Sequence, residues 1–430
     1  VKTMILQGWF YPAVDGTQRN MNVQKNRASG EFLFNRSVVR DDLEANPLAY
    51  LFATDNILQF HSSIKEYAPT PLVSLPALAA RYGIGQILVK DESERFGLKA
   101  FKALGASYAI YRFIKQRVER DTGVLLTVER FWEGVRAGDF GTFTFCTASD
   151  GNHGRGVAWT AGKLAQRAVV FMPWNTVRAR VRAIENEGAR VVVVDGTYDD
   201  AVTTAAKEAE QNGWQIISDT SYPGYTEVPL WIMAGYMTMF HEIENTISET
   251  GLKRPDFVLV QAGVGALAAT AAFHYGLRRV GHEPGAVRLI AVEPTDADCL
   301  LESARGGDEI VASRGSQNSI MAGLNCGMPS MIAWEIISRR FDLFVSIPDD
   351  YSERAMRQYY YPEAGDRQII SGESGAASLG GLIALMTDET LGRARERLRL
   401  GTDSSVLLIN TEGDTDPVNF ERVVSRGNDD

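Results

Sequence analysis

The 430-residue chain has few of the residues that hold disulfide scaffolds or metal sites, with only three cysteines and five histidines. Three cysteines are too few for a disulfide scaffold, and neither a Cys-x-x-Cys pair nor clustered histidines indicate a metal site. We therefore expect no metal ion. Cys299 and Cys326 could form one disulfide bond if the fold brought them together, although a reducing compartment disfavours this.

Long apolar runs and an excess of positive charge are also missing. No segment reaches the roughly 18 uninterrupted apolar residues of a membrane-spanning helix, and residues 1–14 match neither a secretory signal nor a transit peptide. The formal net charge is −10, without a long block of one sign, which disfavours binding to nucleic acid or an anionic membrane. We expect a cytoplasmic protein whose partner is a small molecule, with no nucleic-acid and no membrane partner.

After about residue 86 the sequence alternates short apolar runs with amphipathic stretches. The runs are rich in Val, Ile, Leu and Phe, as strands covered on both faces are. They predict nine strands, at 87–89, 143–146, 168–172, 191–194, 215–218, 257–261, 289–292, 344–347 and 406–410. Helical periods lie between them, among others at 177–186, 199–211, 229–250 and 373–386. The alternation predicts α/β layers with mostly parallel sheets.

Length and strand number predict more than one α/β unit. The chain is longer than a usual single domain, and nine strands are more than one sheet usually holds. Residues 1–60 lack clean periods, and we expect them to wrap the surface or a subunit interface. The segment 121–141 interrupts the alternation, and we expect a surface excursion there.

Four polar, glycine-containing segments follow predicted strands, where open α/β sheets bind ligands. In the first, residues 91–106, Lys102 lies in the first turn of a predicted helix, between the apolar Phe101 and Ala103. A partly desolvated ammonium there is expected to have a lowered pKa, as an amine that forms a Schiff base requires. A lysine that extends to solvent is the alternative on this segment alone.

The other three segments add groups that can hold a flat, phosphorylated ligand. Residues 147–157 contain three glycines that permit close approach and Asn152, which can bind a hydroxyl or carboxylate. Residues 261–268 place N–H groups at a helix N-terminus, where phosphate binds. The fourth consists of two pieces, residues 371–377 and 408–416, which combine glycine with polar side chains. Taken singly, each is also compatible with a capped turn or simple packing.

Together and in this order, these segments resemble the fold type II pyridoxal-phosphate enzymes, the family of tryptophan synthase β and threonine dehydratase. The resemblance covers residues 67–416, on the elements 69–72, 90–92, 101–102, 151–154, 263–267 and 373–376. Within this family the chain is most similar to the ammonia-lyases that act on 2,3-diaminopropionate, in the runs 91–98, 149–159, 219–220, 224–229, 320–324, 370–375 and 411–416. It departs from them at Lys99, where Asn is expected, and over residues 1–60.

The resemblance implies the architecture and the cofactor. The fold would be α/β of fold type II, with two doubly wound α/β domains, the smaller inserted in the larger. The large domain would comprise residues 1–103 and 226–430 and bind pyridoxal 5′-phosphate. The small domain, residues 104–225, would be mobile, and the protein would be a homodimer.

The resemblance also implies roles for single residues around the cofactor. Lys102 would form the Schiff base, with Phe101 beside it, and Asn152 would contact the ring hydroxyl. Thr411 would face the pyridine nitrogen; a neutral hydroxyl there leaves that nitrogen unprotonated and suits rapid loss of a β-substituent. The phosphate would be bound by the backbone N–H groups of Gly263, Val264, Gly265, Ala266 and Leu267.

Two acidic residues favour a diamino substrate. A carboxylate attracts the cationic β-ammonium of 2,3-diaminopropionate, and Asp150 stands where related enzymes commonly have Ser or Thr. We expect Asp219 to take the α-proton of the L isomer and Asp150 that of the D isomer, provided burial raises each pKa toward neutrality. In the alternative, Asp219 caps the turn before Thr220 and only Lys102 transfers protons.

The expected activity is that of a carbon–nitrogen lyase. It would convert 2,3-diaminopropionate, the L and also the D isomer, to pyruvate and two ammonia molecules via aminoacrylate. One alternative is a serine, threonine or hydroxyaspartate dehydratase, which Asp150 disfavours; the other is a non-catalytic cofactor-binding regulatory protein, which Lys102 and the two candidate bases disfavour. Four residues are further candidates to lie near the substrate: Ser149, His153, Tyr198 and Glu373. For His153 and Tyr198 the alternative is a core or capping role.

Overall fold

The computed structural model describes residues 29–38, 52, 54–149, 151–174, 176–277, 287–307 and 309–427. The strands are β1 Glu31–Phe34, β2 Leu72–Ser74, β3 Gln86–Asp91, β4 Thr144–Ala148, β5 Arg167–Pro173, β6 Arg190–Val194, β7 Gln215–Ile216, β8 Phe257–Gln261, β9 Arg288–Pro294, β10 Leu343–Ile347 and β11 Ser405–Asn410. The helices are α1 Thr54–Ser62, α2 Pro76–Tyr82, α3 Lys102–Thr122, α4 Val128–Ala137, α5 Asn152–Lys163, α6 Arg178–Asn186, α7 Tyr198–Asn212, α8 Glu227–Thr250, α9 Ala266–Leu277, α10 Cys299–Gly306, α11 Met331–Arg340, α12 Asp349–Tyr360, α13 Glu373–Thr387, α14 Gly392–Leu398 and α15 Pro417–Val424.

The strands form two sheets. The larger has seven strands in the order β1-β10-β9-β8-β11-β3-β2, and the smaller has four in the order β6-β5-β4-β7. All pairings are parallel except those of the two edge strands, β1 with β10 and β2 with β3. The predicted α/β class and all nine predicted strands are confirmed. The two strands that were not predicted, β1 and β2, are the short antiparallel edges.

The centre of the large sheet explains the continuous apolar runs. Strand β11 lies between β8 and β3, so that Val406 pairs with Phe257 on one side and with Ile87 on the other. All six residues of β11 are buried, because helices cover both faces of the sheet. Burying one Val, Leu or Ile side chain contributes roughly 1.5–3 kcal/mol, which makes this strand a major source of stability.

Two expectations about irregular segments need correction. Within residues 1–60, strand β1 adds to the edge of the large sheet, with Glu31 opposite Ser346, while residues 1–28 and 39–51 lie outside the described part. The segment 121–141 is more than a surface excursion, because it contains α4, whose Phe131 is completely buried. The Phe131 ring packs edge-on against Tyr111 of α3, with centroids 4.8 Å apart.

Helices α3 and α8 cross with their backbones almost in contact. A Cβ atom on Gly235 of α8 would lie 2.5 Å from the Leu104 carbonyl oxygen, and one on Gly105 of α3 would lie 2.6 Å from Tyr236 Cε1. These distances are too short for any side chain beyond hydrogen. Two glycines therefore permit the close crossing, which places the first turn of α3 directly against α8.

A buried ion cluster fastens the end of β3 to α8. Glu242 of α8 accepts hydrogen bonds from Lys90 Nζ at 2.6 Å and from Arg95 Nη2 at 2.7 Å, and Glu92 accepts from Arg95 Nε at 2.8 Å. Burial alone would raise the pKa of Glu242, but Arg95 and Lys90 lower it to about 2. Since two cations face two carboxylates, the cluster is balanced, and removing one member would leave a buried charge unpaired.

Within the described residues, no helix has the length and apolar character needed to cross a membrane. The same residues contain no group of three or more His, Cys, Asp or Glu side chains arranged to hold a metal ion. In open α/β sheets such as these, ligands bind where the parallel strands end.

Candidate active site

Lys102, Thr411 and the loop 263–267 lie beyond the carboxyl ends of β3, β11 and β8. Strand β8 ends at Gln261 and continues into the loop 263–267, and β11 continues into Thr411 and Glu412. The segment after β3 leads to Lys102, and the preceding residue, Phe101, donates its N–H to the Thr411 carbonyl at 3.1 Å. This hydrogen bond brings the lysine to the end of the central strand, as expected of an open α/β sheet.

Lys102 and Asp219 form a close ion pair. The Lys102 Nζ donates to Asp219 Oδ2 at 2.5 Å, and the two side chains are 20% and 13% exposed. The Thr220 N–H donates to Ser218 Oγ at 3.3 Å, so Ser218 is its acceptor. Asp219 instead faces the amine.

The ion pair reverses the pKa changes that were expected from burial. Burial lowers the pKa of Lys102, but the Asp219 carboxylate raises it more, so the pKa lies above the ordinary value. Burial raises the pKa of Asp219, but Lys102 and His153 lower it to about 2. The expectations of a lowered lysine pKa and of an aspartate near neutrality are therefore wrong for this free pair, because each charge stabilises the other.

The loop before α5 is held by Ser149 and reaches the large sheet through Asn152. The Ser149 Oγ accepts hydrogen bonds from the N–H groups of Gly151 at 3.0 Å and Gly154 at 2.9 Å, which caps the helix. The Asn152 Nδ2 donates to Glu412 Oε2 in a very short hydrogen bond. Asp150, between them, lies outside the described residues.

Glu412 has no assigned role in the sequence-based predictions, yet it is central to this contact. It is buried, and besides Asn152 it accepts hydrogen bonds from the Ser374 N–H at 3.0 Å and Thr415 Oγ1 at 3.1 Å. A glutamate that follows a strand carries no signal of its own in the sequence. The hydrogen-bond partners of Glu412 become evident only in three dimensions, where the end of β11 lies beside the first turns of α13 and α5.

The loop 263–267 has the geometry of an anion cradle. It leads into the N-terminus of α9, where the first N–H groups of a helix have no acceptor within the helix. Gly265 has a φ of +96°, and a Cβ atom there would lie 2.7 Å from Ile337 Cδ1. The Ser330 N–H donates to the Val264 carbonyl at 2.9 Å and fixes the loop. The loop therefore fits a phosphate group.

Two of the three cysteines approach this loop. Cys299 Sγ lies 3.6 Å from the Gly263 carbonyl oxygen, and a Cβ atom on Gly263 would lie 2.8 Å from Cys326 Sγ. The fold thus brings Cys299 and Cys326 to the same glycine. None of the three cysteines is in a disulfide bond in this structure, so the bond that the sequence left open is not formed.

A second residue missed from sequence, Gln261, orients Thr411. Its Nε2 lies 2.9 Å from the Ile409 carbonyl oxygen, 3.0 Å from the Ser374 carbonyl oxygen and 3.0 Å from Thr411 Oγ1, and these acceptors share its two hydrogens. Since carbonyl oxygens only accept, the amide nitrogen must face them. Thr411 therefore accepts from Gln261, and its own hydroxyl hydrogen is available for an acceptor such as a pyridine nitrogen.

Glu373 and His153 lie buried near this site. Burial and the neighbouring Glu412 raise the pKa of Glu373 to about 7, and Asn419 Nδ2 donates to its carboxylate. His153 Nε2 lies 2.8 Å from the Ile217 carbonyl oxygen. Tyr198, by contrast, is 40% exposed at the start of α7, beside the small sheet.

Lys99, which stands where Asn is expected, has a left-handed backbone conformation and a salt bridge. Lys99 has a φ of +58°, a conformation in which Asn is favoured over other side chains with a Cβ atom. Its carbonyl oxygen accepts from the Gly413 N–H at 2.9 Å, and its Nζ lies 2.7 Å from Asp414 Oδ1. This salt bridge joins the lysine to the segment that follows Thr411.

An amine, an amide, an anion cradle and a hydroxyl thus lie where parallel strands end. Each matches one group of pyridoxal phosphate: the aldehyde, the ring hydroxyl, the phosphate and the ring nitrogen. The two glycines of the cradle admit the close backbone approach that the phosphate needs. Fold and site together define a pyridoxal-phosphate-dependent enzyme of fold type II.

Comparison with known proteins narrows this class. Residues 64–412 match the family of pyridoxal-phosphate dependent enzymes. The diaminopropionate ammonia-lyase of Escherichia coli (strain K12) is 42% identical over 384 residues, which are 89% of this chain and 94% of that protein. A crystal structure of the Escherichia coli enzyme with D-serine has a TM-score of 0.82 at 39% identity, covering 93% of this chain and 97% of that chain. Another, with an aminoacrylate-PLP azomethine reaction intermediate, has a TM-score of 0.81 at 39% identity, with the same coverage. The chain belongs to the diaminopropionate ammonia-lyases.

Proposed function

We propose that this protein catalyses the elimination of ammonia from 2,3-diaminopropionate, giving pyruvate and a second ammonia after hydrolysis. The observation that carries the proposal is the 2.5 Å pair of Lys102 and Asp219, an amine and a carboxylate beside the anion cradle. The 42% identity to a diaminopropionate ammonia-lyase over most of the chain supports the same reaction.

When bound, pyridoxal phosphate withdraws electrons from the Cα atom of the amino acid and thereby acidifies its α-proton. In our proposal Lys102 binds the cofactor covalently, with Phe101 beside it, and Asn152 holds the ring hydroxyl. The N–H groups of residues 263–267 hold the phosphate. Thr411, oriented by Gln261, donates to the ring nitrogen, which keeps this nitrogen unprotonated and favours rapid loss of the β-substituent.

Asp219 is the proposed base for the L isomer. Its low pKa depends on the ammonium of Lys102, and that charge is removed once the amine is engaged by the cofactor. Burial, the largest influence on Asp219, then raises its pKa toward the range of a general base. A carboxylate at this place also attracts the β-ammonium of the substrate. From sequence alone, Asp150 is the proposed base for the D isomer.

The contact between Asn152 and Glu412 supports a site that closes between two units. Asn152 follows the small sheet, and Glu412 follows the central strand of the large one. We propose that residues 104–225 move as the small domain relative to residues 1–103 and 226–430, which bind the cofactor. A homodimer and a cytoplasmic location are further parts of the proposal, which sedimentation and cell fractionation would test.

The decisive experiment measures pyruvate released by the purified protein with pyridoxal phosphate. We expect L-2,3-diaminopropionate to be preferred over L-serine and L-threonine, and the D isomer to react as well. Activity on the hydroxy amino acids alone would support the dehydratase instead. No turnover with any of the four, by a protein that binds the cofactor, would support a binding role.

Three variants test the roles proposed for Lys102, Asp219 and Asp150. Lys102→Ala should lose the yellow colour of the bound cofactor and all turnover, since no other amine replaces it. Asp219→Asn should impair the L isomer more than the D isomer, and Asp150→Asn should do the reverse, so that each serves as the control of the other. Equal losses on both isomers would contradict the two-base mechanism.

A further inference from the structure

Tyr236 of α8 is a buried residue whose hydroxyl makes no hydrogen bond within the described part of the fold. It is 0% exposed, and its hydroxyl has no hydrogen-bond partner among the described residues. A buried polar atom without a partner costs about 1–3 kcal/mol. Such atoms are rare enough in folded proteins that each calls for an explanation, often a functional one.

Tyr236 lies against the first turn of α3, beside Lys102. Its ring centroid is 4.7 Å from that of Phe101, and the Lys102 Nζ is 5.5 Å from the same Phe101 centroid. On the other side, the Tyr236 Cε1 atom, next to the hydroxyl-bearing carbon, would be 2.6 Å from a Cβ on Gly105. The amine and the phenol thus share one aromatic neighbour at the close crossing of α3 and α8.

The Tyr236 hydroxyl also feels the electrostatic effect of both charges of the Lys102–Asp219 ion pair. Burial raises the pKa of Tyr236, while the Lys102 ammonium lowers it and the Asp219 carboxylate raises it. The net pKa is above the ordinary value, so the phenol stays neutral at physiological pH. A neutral phenol can donate a hydrogen bond to an amine lone pair or accept one from an amine N–H.

The proposed reaction needs such a partner for Lys102. While the substrate is attached to the cofactor, Lys102 is a free amine, and it must later attack as a neutral nucleophile to release the product. Asp219, 2.5 Å away in the free pair, favours the protonated lysine. A protonated lysine paired with Asp219 would be a poor nucleophile. The ion pair would also keep Asp219 from acting as the proposed base.

We propose that the Tyr236 hydroxyl holds the amine of Lys102 during the part of the cycle in which Lys102 is not bound to the cofactor. Tyr236 is then a positioning residue: it holds the amine away from Asp219 and leaves Asp219 free to take the α-proton. The inference rests on the proposed function, since it concerns the same site.

The test compares Tyr236→Phe with a matched control. Phenylalanine keeps the ring that packs on Phe101 and Gly105 and removes only the hydroxyl. The control is Tyr359→Phe in α12, where the hydroxyl is likewise buried and without a partner among the described residues, in a different core cluster. Both holoenzymes are mixed rapidly with L-2,3-diaminopropionate, and ammonia and pyruvate are followed separately.

In Tyr236→Phe the return of Lys102 should become the slow step. We expect about one ammonia per active site in a fast phase, followed by pyruvate formation about tenfold slower than in the wild type, the factor for about 1.4 kcal/mol of a lost hydrogen bond. This slow phase should speed up as the pH rises and the lysine loses its proton. The kcat and the KM should fall together and leave kcat/KM unchanged, because the slowed step follows the loss of ammonia, and Tyr359→Phe should behave like the wild type.

A second measurement uses the protein without its cofactor. Since the hydroxyl has no partner there, Tyr236→Phe should unfold at a temperature no lower than that of the wild type. A clear loss of stability would reveal a structural hydrogen bond and overturn the proposal, as would equal rates without an ammonia burst. If the wild type itself releases no pyruvate from diaminopropionate, the proposed function fails first, and this inference fails with it.

Discussion

Glu373 offers a quantitative test of the electrostatics at the end of the central strand. Burial and the carboxylate of Glu412 raise its pKa from 4.5 to about 7. Replacing it by glutamine removes the titration and retains an oxygen that can accept from Asn419. The effect on stability can be derived because the same carboxyl group is solvated in the unfolded chain.

The direction follows from proton binding in the two states. Below pH 4.5 the carboxyl group is protonated in both folded and unfolded protein, so it adds no pH dependence. Between pH 4.5 and about 7 the unfolded chain releases the proton and the folded protein keeps it, so the wild type loses stability as the pH rises. The shift in pKa corresponds to a total loss of about 3 kcal/mol above pH 7.

The assay is urea unfolding of the cofactor-free protein at a series of pH values from 4 to 8. The stability of Glu373→Gln relative to the wild type should increase by about 3 kcal/mol across this range. In Glu412→Gln the wild-type decline should become smaller, because a carboxylate that raises the pKa of Glu373 is gone. Parallel stability curves for wild type and Glu373→Gln would refute the reasoning, since they would mean that Glu373 titrates alike in both states.

Two further predictions concern the lysine and the helix crossing. Without its cofactor, Asp219→Asn should lower the pKa of Lys102, because burial is then unopposed; the rate at which the apoprotein captures pyridoxal phosphate rises about tenfold for each unit by which the pKa falls. Asp414→Asn, which removes the partner of Lys99, is the control and should leave this rate unchanged. Gly105→Ala should destabilise the protein by about 1–3 kcal/mol in urea unfolding, because the new methyl group meets Tyr236 and Ile232. In Gly162→Ala of α5 the nearest atom is 3.4 Å away, and a loss as large as that of Gly105→Ala there would show that crowding is not the cause.

The architecture was largely predictable because its central strands are buried on both faces. Such strands are continuous apolar runs, which is why all nine were found. Strands β1 and β2 were missed since each is a short edge with one partner, and Val73 is the only buried residue in them. Helix α4 was missed because one buried face, with Phe131, is a weak signal within a charged segment.

The site was predictable to the extent that its residues occupy fixed places along the chain. Lys102, Asn152 and the loop 263–267 all follow strands, and parallel strands bring their ends together. Gln261, Glu412 and Tyr236 were not assigned roles, because their importance depends on partners from distant segments. The direction of the pKa changes at Lys102 and Asp219 was missed for the same reason: burial can be inferred from neighbouring residues, but an opposite charge 117 positions away cannot.

The place of β11 in the large sheet has a consequence for biogenesis. It follows every other strand in the chain, yet it lies between β8 and β3, near the middle of the sheet. During synthesis the strands β1, β10, β9 and β8 can associate on one side, and β2 with β3 on the other, but no strand pairing joins the two groups until β11 emerges. The newborn chain must therefore keep two unpaired inner strand edges from associating with other chains. Thr411 and its partner Gln261 likewise meet only when this last strand enters, so in our proposal cofactor capture waits for the same event.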